Sequence, residues 1–281
     1  MRPVLEFDAA SALSKGQRSY QEDAMITDLA CGAEVGCVVL ADGMGGHAAG
    51  DVASKIVVSE VYNELMSKKE DPDTLEANVT ETLRRAAMAA NGSLRDHVRD
   101  FPETRGMGST LVASVIVRSN LYWISIGDSP LFLFREGALV QLNEDHSMAP
   151  QIDFMVKSGL LTVEEGVSHP DRNILTSVLF GAEVPKIDCP KEPVALQAGD
   201  ILIVASDGLQ FLTDIEIEAA LRRNKSKFSS EIVEDLLQRV MDTEDPQLDN
   251  VSFTVVKVLN ASVRDVRETD ALSCPDIRCV G

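Results

Sequence analysis

Apolar residues follow two rhythms along this chain, and the switches between them mark out its elements. Residues 24–30 and 35–41 read as two strands joined by a short turn. From about 48 to 66, Val52, Ile56, Val57, Val61 and Leu65 recur at helical spacing. The polar run Ser67 to Asp73 breaks this helix. A second helix, at about 74–98, carries Leu75, Val79, Leu83, Ala86, Ala87, Ala90 and Leu94 on one side. Two neighbouring helices of this length predict an antiparallel pair laid over a sheet.

Four strands follow, at 109–117, 121–126, 131–135 and 138–142. Arg118-Ser119-Asn120 and Glu136-Gly137 are turns between them, so antiparallel pairing is expected. Trp123 and Phe132 read as core. The stretch 147–185 differs, with Pro150, Gly159, Gly166, Pro170 and Gly181 and short helical pieces expected at 150–158 and 172–179. It reads as an insertion packed over the sheet. Ile201–Ala205 is a buried strand, helices are expected at 214–222 and 229–241, and 251–259 is a last strand. No internal repeat is evident. This order predicts an α+β fold of antiparallel sheets covered by helix pairs, not a doubly wound parallel sheet. One domain is expected over 1–259, followed by a polar tail at 260–281.

Composition narrows the function. The 281 residues are 44% apolar, enough for a sizeable core. Lys and Arg number 26 against 45 Asp and Glu, a net charge of −19. Such a field opposes binding to nucleic acid or anionic lipid. It also means that a phosphate-handling site needs metal ions or a local Arg. A solvated acidic surface that keeps the protein soluble is the alternative meaning. Cys31, Cys37, Cys189, Cys274 and Cys279 are odd in number and scattered, which suits a reducing compartment better than a disulfide framework. The first residues lack the apolar core of a leader, and no uncharged apolar run reaches membrane-spanning length. A cytoplasmic protein is expected, and nothing demands a stable oligomer.

The chemistry gathers at strand ends. Asp42-Gly43-Met44-Gly45-Gly46-His47 directly follows the apolar run Gly36–Ala41. A buried strand ending on Asp42 makes a rigid ligand for a hard cation, and the glycines allow close backbone approach. Asp128 and Asp207 likewise follow apolar strands, and Asp249 precedes one. Each alone suits a turn cap. Four together suit one metal site, because gathered carboxylates repel without cations. Oxygen ligands without Cys or clustered His point to Mg²⁺ or Mn²⁺. Two such ions can share a bridging water, lower its pKa and aim it at phosphorus. Arg18, four and five residues before Glu22 and Asp23, suits either a phosphate fork or a local ion pair.

These elements occur in one order: Arg18…Glu22-Asp23, Asp42-Gly43-Met44-Gly45-Gly46-His47…Gly50, Gly106-Met107-Gly108-Ser109-Thr110-Leu111, Gly127-Asp128-Ser129, Asp145-His146-Ser147, His169-Pro170, Gly199-Asp200, Ser206-Asp207-Gly208-Leu209 and Asp249-Asn250. In this the chain resembles the metal-dependent Ser/Thr protein phosphatases of the PPM (PP2C) family, in their bacterial form, from about Ser14 to Leu259. The resemblance implies a central antiparallel β-sandwich flanked by antiparallel helix pairs, a four-layer αββα fold. It implies hydrolysis of phosphoserine and phosphothreonine in phosphoproteins by a metal-bridging hydroxide, opposing a Ser/Thr kinase in bacterial signalling.

The resemblance also implies residue roles. Asp42 would bridge two Mn²⁺ or Mg²⁺ ions and Gly43 would lend its carbonyl. Asp207 and Asp249 would complete one shell, while Glu22 and Asp23 would hold metal-bound waters. Asp128 matches the acid of a third, weaker metal. Arg18 would grip the substrate phosphate, and 147–181 would be a flap beside the site. His47 is the candidate acid for the leaving oxygen or, alternatively, a structural loop residue. His146 and His169 read as turn and flap packing. Pro130 stands where many members carry Arg. Leu175-Thr176-Ser177-Val178-Leu179-Phe180-Gly181 lacks another Arg and is one residue longer, which bears on substrate docking. Two other readings are a phosphatase for a different phosphomonoester and a pseudo-enzyme that binds phosphoproteins without turnover.

Overall fold

The computed structural model describes residues 5–30, 32–45 and 49–260. The chain begins with β1 (Leu5–Ser14), β2 (Asp23–Asp28) and β3 (Val35–Met44). Helices α1 (Ala49–Met66), α2 (Pro72–Ala77) and α3 (Val79–Asp100) follow. A meander comes next, of β4 (Gly108–Ser109), β5 (Leu111–Val117), β6 (Asn120–Ile126), β7 (Leu131–Arg135) and β8 (Ala138–Gln141). After α4 (Ala149–Lys157) and α5 (Val163–Val167) come β9 (Val194–Ala195) and β10 (Ile201–Ala205). Helices α6 (Asp214–Asn224) and α7 (Ser229–Met241) lead to β11 (Val251–Asn260).

The strands form two antiparallel sheets. One has the order β1-β11-β10-β7-β8. The other runs β2-β3-β5-β6-β9, with β4 paired to the end of β3. Strand alternation sorts the core into three layers. On β3, Cys37, Val39 and Ala41 pack under the α1 and α3 residues Val57, Val61, Leu83 and Leu94. Val38 and Leu40, on the opposite face, meet Leu202, Val204 and Val256 of the other sheet. On the far side of the sandwich, Ile203, Phe253 and Val255 pack against Ile217 and Leu221 of α6 and Ile232 and Leu236 of α7. The result is the expected α+β sandwich of two antiparallel sheets between helix pairs.

Two local expectations are corrected, and one strand is added. The added strand is β1, where Leu5, Phe7 and Ala9 alternate with Glu6 and Asp8 but the alanines of its second half weaken the strand signal. It forms through ten register pairs with β11, from Leu5 opposite Asn260 to Ser14 opposite Val251. Tertiary pairing overrides weak local preference there. The helix expected at 74–98 is interrupted at Asn78, whose side-chain amide donates to the Thr74 carbonyl and competes with the helical ladder. The helical piece expected at 172–179 does not form. Its backbone spends its bonds elsewhere: Thr176 N–H donates to the His146 carbonyl, and Leu179 pairs both ways with Ser109. The second helix of this segment is α5, started by a Thr162–Glu165 capping box.

Candidate metal centre

The sandwich interior is apolar along most of its length and turns polar along β2. The Oγ atoms of Ser11, Thr27 and Thr254 lie within hydrogen-bond distance of one another, at 2.9–3.2 Å. Beyond them the carboxylates begin. Asp23 and Asp42 are direct register partners on β2 and β3. Alternation puts Asp42 on the Val38–Leu40 face and Asp23 on the face of Met25, so both aim between the sheets. Asp42 is therefore not the tip of its strand. β3 continues to Met44, and Gly43 and Met44 pair with Ser109 and Gly108.

The backbone around Asp42 is clamped. Its N–H donates to Thr110 Oγ1 at 2.9 Å, and its carbonyl accepts from Thr110 N–H at 2.8 Å and Ser109 Oγ at 2.9 Å. Thr110 Oγ1 in turn lies 2.8 Å from Ser129 Oγ, beside Asp128. Gly43 donates its N–H to the Glu22 carbonyl. A Cβ on Gly43 would lie 2.0 Å from the Gly50 carbonyl oxygen, and one on Gly50 would lie 2.3 Å from Glu22 Oε1. Only glycine fits either position, and the Glu22 carboxylate is lodged beside this close approach.

The remaining acids arrive from the other sheet. Asp207 opens a short 3₁₀ turn, Asp207–Phe211, directly after Ser206 at the end of β10. Ser206 Oγ donates to Asp23 Oδ2 at 2.9 Å and so joins the two sheets through a ligand candidate. Asp249 precedes β11, and Arg18 donates to its Oδ2 at 2.5 Å. Of the two readings for Arg18, the pairing with Glu22 or Asp23 is not the one seen. Asn250, buried, receives the Glu22 N–H on Oδ1 at 2.7 Å and donates to the carbonyls of Lys15 and Tyr20. That one amide fixes the 15–22 loop against Asp249.

Electrostatics show how closely these groups gather. Burial pushes Asp23 up to about 7, despite the Ser206 hydrogen bond, with Asp207 and Asp249 adding to the rise. Burial also raises Asp42 well above the carboxylate range, followed by the charges of Asp23, Asp207, Asp128 and Asp249. Asp128 rises to about 7, through desolvation and then Asp207 and Asp145. Asp207 rises to about 6 through desolvation and the Asp249 charge, offset in part by a hydrogen bond with Asp42. Asp42 feels four other carboxylates and is the hub of the cluster.

Among the described residues, no three of these side chains stand in a closed ligand cage. The chemistry of the cluster nevertheless fits a hard cation. Glu22 Oε1, Asp23 Oδ1 and Asp207 Oδ1 are buried with no hydrogen-bond partner. Buried oxygens of this kind are costly unless something positive completes them. The donors are all oxygen, as Mg²⁺ or Mn²⁺ prefers.

The Protein phosphatase 2C family model matches residues 11–251. The chain belongs to the protein phosphatase 2C family. The serine/threonine phosphatase Stp of Listeria welshimeri is 35% identical over 191 residues, 67% of this chain and 73% of that one. The crystal structure of the Mycobacterium tuberculosis serine/threonine phosphatase PstP superposes with a TM-score of 0.73 at 31% identity, covering 92% of this chain and 99% of that one. A PstP catalytic domain in complex with two manganese ions gives a TM-score of 0.71 at 29% identity, over 91% of this chain and 100% of that one. The expectation of a metal-dependent protein phosphatase of the bacterial type is borne out.

The structure brings Glu22, Asp23, Asp42, Gly43, Asp128, Asp207 and Asp249 to one end of the sandwich, with Arg18 at its edge. His47 lies outside the described residues, as do Cys31, Cys274, Cys279 and the tail beyond Asn260. His146 is a buried packing residue. Its Nδ1 accepts from the Gly127 N–H, its carbonyl accepts from Thr176, and burial lowers its pKa. No helix of the described residues is long and apolar enough to cross a membrane. The residues whose parts had gone unread are Thr110, Ser109, Ser206 and Asn250. Their signal was present: short polar side chains set inside or against apolar runs, which a core must hydrogen-bond.

Proposed function

We propose that this chain hydrolyses phosphoserine and phosphothreonine in phosphoproteins, with two divalent cations held by the acidic cluster. The convergence on Asp42 of buried carboxylates with unpartnered oxygens supports this reading above all. Asp42, the Gly43 carbonyl, Asp207 and Asp249 would hold the ions directly, and Glu22 and Asp23 would hold their waters. Asp128 would serve a third, weaker ion. Divalent cations at such a site lower the pKa of water and neutralise phosphoryl charge.

The chain's own side chains do the rest. Arg18, half-exposed and anchored on Asp249, presents its guanidinium at the edge of the cluster, where it orients a phosphate and offsets its charge. Thr110 and Ser109 fix Asp42 so that it does not rearrange as charge develops. His47 is the side chain we assign to protonate the leaving serine or threonine oxygen. The 147–181 segment is the flap over this end. The cellular setting we infer is cytoplasmic, with a monomeric enzyme opposing a Ser/Thr kinase.

A metal-dependent assay on phosphoserine, phosphothreonine and phosphotyrosine peptides tests the reading. Turnover of the first two with Mn²⁺ or Mg²⁺, abolished by EDTA, is expected. Phosphopeptide binding without turnover would replace the enzyme with a pseudo-enzyme. Activity confined to small phosphomonoesters would replace the substrate class.

A further inference from the structure

A second cavity opens beside the metal centre, and its walls are tied to Asp42 through one residue. It measures about 400 Å³ and is lined by Met44, Val98, Arg105, Met107, Val178 and Phe180. Met44 lies two positions beyond Asp42 on β3, about 7 Å along an extended strand. Ser109 Oγ donates to the Asp42 carbonyl, and Ser109 exchanges both backbone hydrogen bonds with Leu179, at 2.8 and 3.0 Å. Leu179 sits between the two wall residues Val178 and Phe180. Met107, fully buried, is the floor, one residue before the Gly108–Ser109 strand.

The cavity is built, not a gap between loose segments. Buried Asn91 on α3 accepts from the N–H groups of Phe180 and Gly181 at 3.1 and 2.8 Å and donates to the Ala182 carbonyl. The Phe180 backbone is thereby fixed, while its ring stays 48% exposed at the mouth. Arg105 is the cation on the lining. Its backbone N–H is bound to the Pro102 carbonyl, and its exposed guanidinium has no hydrogen bond or ion pair among the described residues. Among the described residues most arginines are engaged: Arg18, Arg85, Arg95, Arg99, Arg118, Arg135, Arg172, Arg222 and Arg239 all hold carboxylates. In a chain of net charge −19, a guanidinium at a cavity mouth with no acid among the described residues is free to offer its fork to an anion.

We infer that this cavity is a substrate subsite that takes a large apolar side chain of the phosphopeptide, with Arg105 reading an acidic residue next to it. The inference rests on the phosphatase reading and adds a sequence preference to it. The volume is at the low end of ligand sites, which run to about 300–1,000 Å³, and suits one side chain rather than a folded surface. Methionines and a phenylalanine give it an adaptable apolar lining. The offset of about 7 Å between Met44 and Asp42 along β3 corresponds to about two residues of an extended peptide, which advances about 3.3 Å per residue. The guanidinium fork suits a carboxylate.

The test uses phosphothreonine peptides with Leu-Glu, Leu-Ala, Ala-Glu or Ala-Ala placed within three residues on either side of the phosphothreonine. Manganese-dependent turnover of p-nitrophenyl phosphate is measured alongside. For the wild type, kcat/KM should rise about tenfold from Ala-Ala to Leu-Glu on one side. Phe180→Ala should remove the Leu part of that gain and Arg105→Ala the Glu part, both with p-nitrophenyl phosphate turnover unchanged. Arg105→Glu should favour Leu-Lys, a fifth peptide added for this variant, over Leu-Glu. Equal wild-type rates on all four peptides would overturn the subsite. So would a Glu preference that survives Arg105→Glu, or variants that slow the small substrate as much as the peptides. A wild type inactive on p-nitrophenyl phosphate and on all the peptides would instead remove the phosphatase reading, and the subsite with it.

Discussion

Asp23 and Asp42 stand directly opposite each other across the β2–β3 register, with both side chains turned between the sheets. Two like charges in facing positions work against the strand pair that holds them. The pair persists because burial and neighbouring charge hold both carboxylates above their ordinary range, to about 7 for Asp23. The site is thus a built-in electrostatic conflict that a cation resolves.

A pH dependence of stability follows from this conflict. In the absence of cations, the folded chain keeps protons on Asp23, Asp42, Asp128 and Asp207 that the unfolded chain gives up near pH 4. Their contribution is fully present below that value; it is lost as pH rises through about 6 for Asp207 and about 7 for Asp23 and Asp128, while Asp42 is raised in the same direction. In EDTA, Tm should therefore be lower at pH 8 than at pH 5.5. Mn²⁺ should raise Tm strongly at pH 8 and weakly at pH 5.5. A thermal melt series checks both, and a Tm that climbs with pH in EDTA would contradict the raised pKa values.

Removing the hub should separate activity from stability. Asp42→Ala and Asp207→Ala are expected to abolish hydrolysis of p-nitrophenyl phosphate. In EDTA at pH 8 neither should lower Tm, because each substitution takes a repelling charge out of the cluster. Activity measured beside melting curves decides the matter, and full activity in either variant would sink the two-metal reading.

Thr110 positions Asp42 and should be felt in metal affinity. Thr110→Val keeps the shape and deletes the oxygen that accepts the Asp42 N–H and touches Ser129. A cost of about 1–3 kcal/mol in urea unfolding is expected, the range for leaving a buried donor unpaired. Titration calorimetry with Mn²⁺ should show weaker binding in the folded variant, and Thr110→Ser should restore most of it.

Arg18 touches both the phosphate side and the metal side. Arg18→Ala should raise KM for phosphopeptides with a smaller effect on kcat. It should also tighten cation binding, because a positive charge 2.5 Å from Asp249 Oδ2 competes with a metal for that carboxylate. Steady-state kinetics and metal titration give the two answers separately. An unchanged KM would remove the phosphate role.

Long-range order was legible where period and chemistry agreed. The continuous apolar runs at 36–41 and 201–205 mark buried strands, and their alternate residues Val38, Leu40, Leu202 and Val204 share the seam between the sheets. β1 was only half legible: Leu5, Phe7 and Ala9 alternate with charged residues, but its alanine-rich second half is held by β11, some 240 residues away. The 172–179 segment has apolar spacing that passes for helical, but its backbone is claimed by His146 and Ser109. The clamp around Asp42 escaped notice for a related reason. Serine and threonine in a strand say nothing of their partner until the fold brings it near.

The two faces of β3 carry different duties on adjacent residues. Cys37, Val39 and Ala41 belong to the helical layer, and Val38, Leu40 and Asp42 to the seam between the sheets. A one-residue deletion within this strand would exchange the two sets. It would send the central carboxylate under α1 and the small residues into the seam. Length in this strand is therefore under the same constraint as the identity of Asp42, and no neighbouring substitution can repair a change in it.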